Sequence, residues 1–212
     1  TLEEIVSWDG FGNNEGLPVQ QGFALASPLL FLQGGLRTIS VTLTFQSDPS
    51  LSPSAASTSA ELTDFIQAFP TNQFYLSTEK TWFALSQGDI KILPAPCGVE
   101  INITLPPEAP AIAAFIKSPD GFSSAWPILK IMLSPSVDLS VPPSLVKVSI
   151  QVQVEQFSHF SLANHSSPLP NTGSQQLFGP VPEVGDCFYV GSNECFAKPL
   201  DSLTLNINWD KL

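Results

Sequence analysis

Two histidines, three cysteines and nineteen carboxylates are the side chains with which this chain could do chemistry. His159 and His165 lie near or inside a long polar stretch, and no GxSxG elbow presents a serine beside them. A Ser-His-Asp relay needs a histidine held between nucleophile and carboxylate. Both therefore read as surface or hydrogen-bonding residues. Paired carboxylates would serve glycoside hydrolysis, which β-sandwiches do host. The acidic residues instead fall in turns, such as Asp9, Asp120 and Asp186, where a carboxylate caps backbone N–H groups. Phosphate-cradling patterns of the GxGxxG or P-loop type are absent. Gly34–Gly35, ahead of Arg37, reads as a hairpin turn. The expectation is a non-enzymatic chain with no catalytic residue and no cofactor site.

The cysteines Cys97, Cys187 and Cys195 do not make a disulfide framework. They also lack the CxxC spacing and histidine partners of a zinc site, so no metal is expected. Free thiols in a reducing compartment are the expectation. Cys187 and Cys195 flank a hairpin candidate and could still be neighbours.

Positioning these residues requires a fold, and composition bounds it. The 212 residues suffice for one large β domain, read as 1–212 with two sub-layers at 1–95 and 96–212. Apolar residues make up 43%, with 15 Phe and 4 Trp, which is ample for a core. Charged residues reach only 13%, about half the usual share. Such a surface must be covered by Ser, Thr, Asn, Gln and Pro or partly by other proteins, and a mean hydropathy of +0.17 leans toward the second. The net charge of −11, with Arg37 as the lone arginine and seven scattered lysines, argues against a nucleic-acid partner. The apolar run Phe23–Leu32 is too short to cross a membrane and is broken at Ser27 and Pro28. No secretion signal precedes it, and both ends read as cuts from a longer chain.

Period-two alternation dominates. Ile39, Val41, Leu43 and Phe45 point one way, against Thr38, Ser40, Thr42 and Thr44. The pattern recurs in Val99–Leu105, in Val146–Val154 and in Leu203, Leu205, Ile207 and Trp209. Weaker strands are expected at Gly22–Ala26, Phe74–Ser77, Thr81–Leu85, Ile128–Leu133 and Cys187–Val190, with a bulge at Gln156–Phe157. This predicts an all-β fold, an antiparallel β-sandwich of jelly-roll or Greek-key type with one or two short helices. One helix is expected over about 60–70, where Leu62, Phe65, Ile66 and Phe69 share a face and Pro70 closes the end. A second turn is expected from Pro110, with Ile112, Phe115 and Ile116 inward. Ser47–Ser59 reads as a mobile loop. Ser158–Gly185 reads as a long ordered loop without periodicity, too long for a passive connection. Trp8 and Trp126 are free to be surface residues, whereas Trp209 reads as core.

The stretch from Gln175 to Trp209, QQLFGPVPEVGDCFYVGSNECFAKPLDSLTLNINW, resembles a segment of the baseplate J-like wedge proteins of extracellular contractile injection systems. These are phage-tail-like particles with a sheath, a tube and a baseplate. Gly22–Phe45, LPPEAPAI at 105–112 and WPILKIML at 126–133 resemble the same family, in the same order. Family members are several times longer, so this chain would lack the segments that join sheath and hub. The resemblance implies a structural role among other baseplate subunits, with assembly in the cytoplasm and then residence in the particle. Phe178, Phe188, Tyr189 and Phe196 are the interface candidates, with Tyr189 the one expected to face outward. A carbohydrate-binding β-sandwich for cell-surface attachment is the alternative, and it would need exposed, near-coplanar aromatic rings.

Overall fold

In the computed structural model, the described residues are 22–45, 69, 73–95, 98–117, 124–134 and 145–208. Several expectations lie outside them: the Ser47–Ser59 loop, the 60–70 helix apart from Phe69, and Asp9, Cys97, Asp120, Trp8 and Trp209.

The fold is all-β and antiparallel, as the alternation predicts. Its strands are β1 (Gly22–Ala26), β2 (Leu36–Phe45), β3 (Phe74–Ser77), β4 (Trp82–Ala84), β5 (Ile90–Ala95), β6 (Gly98–Leu105), β7 (Ile128–Met132), β8 (Leu145–Glu155), β9 (Ser161–Asn164), β10 (Pro168–Leu169) and β11 (Phe188–Gly191). Two four-stranded sheets, ordered β1-β7-β3-β4 and β5-β6-β2-β8, pack as a sandwich. A small sheet, β10-β9-β11, stands beside them. Each large sheet takes strands from both sides of residue 95, so the layers do not divide there. Long β2 is the centre of its sheet because strict alternation lets every second residue turn inward. Ile39 pairs Ile103 and Val152, and Val41 pairs Ile101 and Ile150. The inward residues of β2 and β6 meet Phe74, Leu76, Leu129 and Ile131 of the other sheet in one apolar cluster. Phe69 is buried in that cluster and meets Phe23 edge-on at 6.2 Å.

Ser77 ties the far end of the sandwich together. Its buried hydroxyl donates to Ala113 O and accepts from Ile128 N, both at 2.7 Å. That leaves no helix at Pro110: Ile112 forms a single bridge with Leu32, and Ile116 is exposed. Backbone bonds to Leu32 and Ser77 hold this segment extended, which overrides its helical spacing. The helix among the described residues is the single turn α1 (Asn193–Phe196), with 3-10 turns at Pro28–Leu30 and Gln87–Asp89.

Other expectations are corrected as well. The Ser158–Gly185 stretch holds β9 and β10, joined by a turn in which Asn164 Oδ1 accepts from Ser166 N and Ser167 N. No bulge sits at Gln156–Phe157. Instead β8 ends at Glu155 and Gln156 takes a positive φ of 54°, while the pairing irregularity falls at Thr44/Phe45. Gly34–Gly35 is the entry turn into β2 rather than a hairpin between paired strands. β5, which the pattern did not reveal, tolerates Pro94 because it is an edge strand. Residues 202–208 form no strand and are all exposed, although their apolar residues alternate.

Candidate interaction surface

The small sheet carries the candidate residues. β9 is short and offers only Leu162 as a large apolar side chain, so its turn chemistry matters more than its burial. The Asn164 side chain closes the turn, and β11 then pairs along β9 with Phe188 opposite Asn164 and Tyr189 opposite Ala163. Adjacent strand residues point to opposite faces. Phe188 is accordingly half-buried, and Tyr189 is 54% exposed. The Tyr189 hydroxyl is raised above its ordinary pKa, first by a hydrogen bond with the Cys187 side chain. Cys187 and Cys195 are both free thiols.

Beyond β11, Ser192 caps α1 by accepting from Cys195 N at 3.2 Å. One helical turn then sends Glu194 and Phe196 in opposite directions. Glu194 is buried, whereas Phe196 is 57% exposed. Phe178 is exposed as well. Nine of the fourteen large apolar side chains exposed among the described residues lie from Phe178 to Ile207, so the apolar surface gathers at this end of the chain.

A buried charged latch holds the face in place. Glu194 Oε2 accepts from Gln33 N at 2.7 Å, and Glu194 Oε1 lies 3.8 Å from Lys198 Nζ. Lys198 Nζ also donates to the carbonyls of Leu29 and Phe31. Burial pushes the Glu194 carboxyl up, opposed by the Gln33 N–H and by the charges of Lys198 and Arg37. Burial pulls the Lys198 ammonium down, opposed by Glu194. Arg37 lies fully buried behind this latch. Its guanidinium donates to the carbonyls of Leu32, Pro106, Ala109 and Pro110, and Nε has no partner. Desolvation lowers the Arg37 pKa, with Glu194 opposing. The β2 alternation carried a signal for this residue, since Arg37 falls in phase with Ile39 and Val41. Glu194 and Lys198 gave no such signal.

One group has the connectivity of a hydrolytic relay. Ser166 Oγ lies 2.9 Å from His165 Nε2, and His165 Nδ1 lies 3.1 Å from Asp186 Oδ1. Acyl transfer also needs N–H donors aimed at a developing oxyanion. The adjacent N–H groups of Ser166 and Ser167 already donate to Asn164 Oδ1, and His165 stands about half in solvent. The arrangement therefore ties the β9–β10 turn to the segment entering β11. His159 packs instead beside Phe157, at a centroid distance of 6.0 Å, and against Gly34. Among the described residues no group of three or more His, Cys, Asp or Glu could hold a metal ion. No helix among the described residues is long and apolar enough to cross a membrane.

The tryptophans divide. Trp82 meets Phe115 edge-on at 4.8 Å and lies under Lys130 Nζ at 4.1 Å, while Trp126 is exposed. Compared with known proteins, the chain matches no family model and no curated sequence.

Proposed function

We propose that this chain is a non-catalytic structural module of the baseplate of a contractile, phage-tail-like particle. Its C-terminal aromatic face would contact neighbouring baseplate subunits. The observation that carries the reading is a coincidence of place. The Gln175–Trp209 string that resembles the wedge proteins is also where the exposed apolar side chains collect. Isolated apolar residues on a surface are ordinary, but nine exposed ones within the stretch from Phe178 to Ile207 supply the material for an interaction site. Aromatic anchors typically carry most of the energy of such contacts.

The latch supports the same reading. Burying a lysine and a glutamate beside Arg37 is a costly way to hold a small sheet, and packed apolar residues would often serve stability better. It makes sense where the orientation of the attached face matters. The net charge of −11 favours protein partners over nucleic acid. Assembly in the cytoplasm followed by incorporation into the particle completes the proposal. The carbohydrate-binding alternative has less support, because Trp82 is engaged edge-on with Phe115 and lies under Lys130 rather than standing free to stack on a sugar.

Substituting Tyr189→Ala and Phe196→Ala separately tests the reading. Each variant should melt within about 3 °C of the wild type, as a loss under about 1 kcal/mol implies for this size. Particle assembly should nevertheless drop. Normal assembly with both variants would overturn the proposal.

A further inference from the structure

Among the described residues the sandwich is open along one side. β8 is the last strand of its sheet, and among the described residues nothing pairs with its outer edge. Its inward residues Val148, Ile150 and Val152 stand opposite Leu43, Val41 and Ile39, which are fully buried. Yet Val148 is exposed, and Ile150 and Val152 are only partly covered. The facing sheet ends there in β1, a strand of five residues. Between the two edges lies a cleft of about 410 Å³, walled by Leu25 and Leu29 on one side and by Val148 and Ile150 on the other.

The same chain carries an alternating segment that pairs with no sheet. Leu203, Leu205 and Ile207 alternate with Thr204 and Asn206 and are 57%, 51% and 42% exposed. An apolar face of this kind is what a half-buried strand presents to a core. Its root is fixed beside the cleft, because Lys198 holds the carbonyl of Leu29 and Leu29 lines that cleft. Even so, the segment runs outside its own cleft.

We propose that residues 203–208 of one copy add along β8 of a second copy and fill its cleft. Every strand pair described in this protein is antiparallel. With Leu205 set antiparallel opposite Ile150, Ile207 falls opposite Val148 and Leu203 opposite Val152. Thr204 and Asn206 then face Gln151 and Ser149 on the outer side, so no charge is buried and no like charges meet. The alternation of the two strands matches at every position. Since the root of each donor lies beside its own acceptor, the exchange is reciprocal across a two-fold axis. It yields a closed dimer by strand swapping. The contact takes Leu203, Leu205 and Ile207 from the exposed apolar stretch but leaves Tyr189 and Phe196 free, and it needs no other baseplate subunit, so it stands or falls on the purified chain.

Light scattering with size-exclusion chromatography of the 212-residue chain is the test, beside two variants. One is a donor variant carrying Leu203→Ser, Leu205→Ser and Ile207→Ser. The other is an acceptor variant carrying Val148→Lys, a site exposed enough to accept the charge without unfolding the sandwich. The wild type should run at twice the 22.8 kDa chain mass, and each variant should raise the dissociation constant by about 100-fold or more. Mixing the two variants should restore a dimer with one exchanged strand. A wild-type monomer would overturn the proposal, including one whose segment 203–208 is protected from hydrogen exchange by folding into its own cleft. A dimer that survives both variants would overturn it too.

Discussion

The backbone N–H of Gln33 donates to Glu194 Oε2 at 2.7 Å across 161 residues of chain. This bond joins the turn before β2 to the helix that carries Phe196. With Lys198 on the carbonyls of Leu29 and Phe31, it makes the small sheet an extension of the sandwich rather than a loose appendage.

The latch should show in the pH dependence of stability. Burial raises the Glu194 pKa above its unfolded value of 4.5. A group raised on folding contributes stability that is full below the unfolded value and is lost as pH rises through the folded one. Glu194→Gln removes that titration while keeping an acceptor for Gln33 N. Relative to this variant, the wild type should lose stability as pH rises above about 4.5 toward neutrality. Melting temperatures of both proteins across that range check this. A difference that stays flat contradicts it.

Lys198→Met keeps the aliphatic stem and removes the ammonium. It leaves Glu194 buried without its nearest countercharge, and Leu29 O and Phe31 O without this donor. Breaking a buried pair on one side costs about 3 kcal/mol or more. Urea denaturation at neutral pH should read that loss. A change below about 1 kcal/mol, the range of an exposed pair, would place the lysine in solvent.

Arg37→Met should be damaging as well. Leu32 O also accepts from Ile112 N, and Pro106 O also accepts from Ala109 N. Ala109 O and Pro110 O depend on the guanidinium among the described residues. Ala109 is only partly buried and Pro110 is exposed, so water can take up part of the lost bonding, and the cost should be about 2 kcal/mol. The 105–112 segment should also lose protection in hydrogen exchange. Unchanged protection there would mean the arginine holds nothing in place.

Gly35 takes a positive φ of 76°, and a Cβ there would be driven into the carbonyl oxygen of Glu155. Gly35→Ala should destabilise by about 2 kcal/mol or more, since strain and clash act together. The same substitution at Gly179, also at positive φ but in open space, should cost only the strain, about 1 kcal/mol. Equal effects at both sites would remove the steric argument.

How much of this was legible in the sequence depended on how local the cause was. β2, β6 and β8 read directly, because long alternation fixes both strand and inward face. β5 escaped notice because Pro94 interrupts a short pattern, and only its edge position makes that tolerable. Residues 203–207 alternate just as cleanly and yet form no strand. Alternation tells which side seeks burial, and it says nothing about whether a neighbour is present. The reverse holds at 110–116, where helical spacing lost to backbone bonds with Leu32 and Ser77. The Tyr189 face was readable from the two-fold rule of a strand. The Glu194–Lys198 latch was not, because its partners are distant in sequence and its residues look like ordinary surface charges.

The central claim is that this chain belongs to a tail-like baseplate through its C-terminal aromatic face. Affinity isolation of the tagged chain from cells that make it, followed by identification of what comes with it, tests this most directly. Sheath, tube and baseplate proteins should be recovered with the wild type and lost with Tyr189→Ala. Recovery of the chain without any tail-like protein, or identical recovery with the variant, would contradict it.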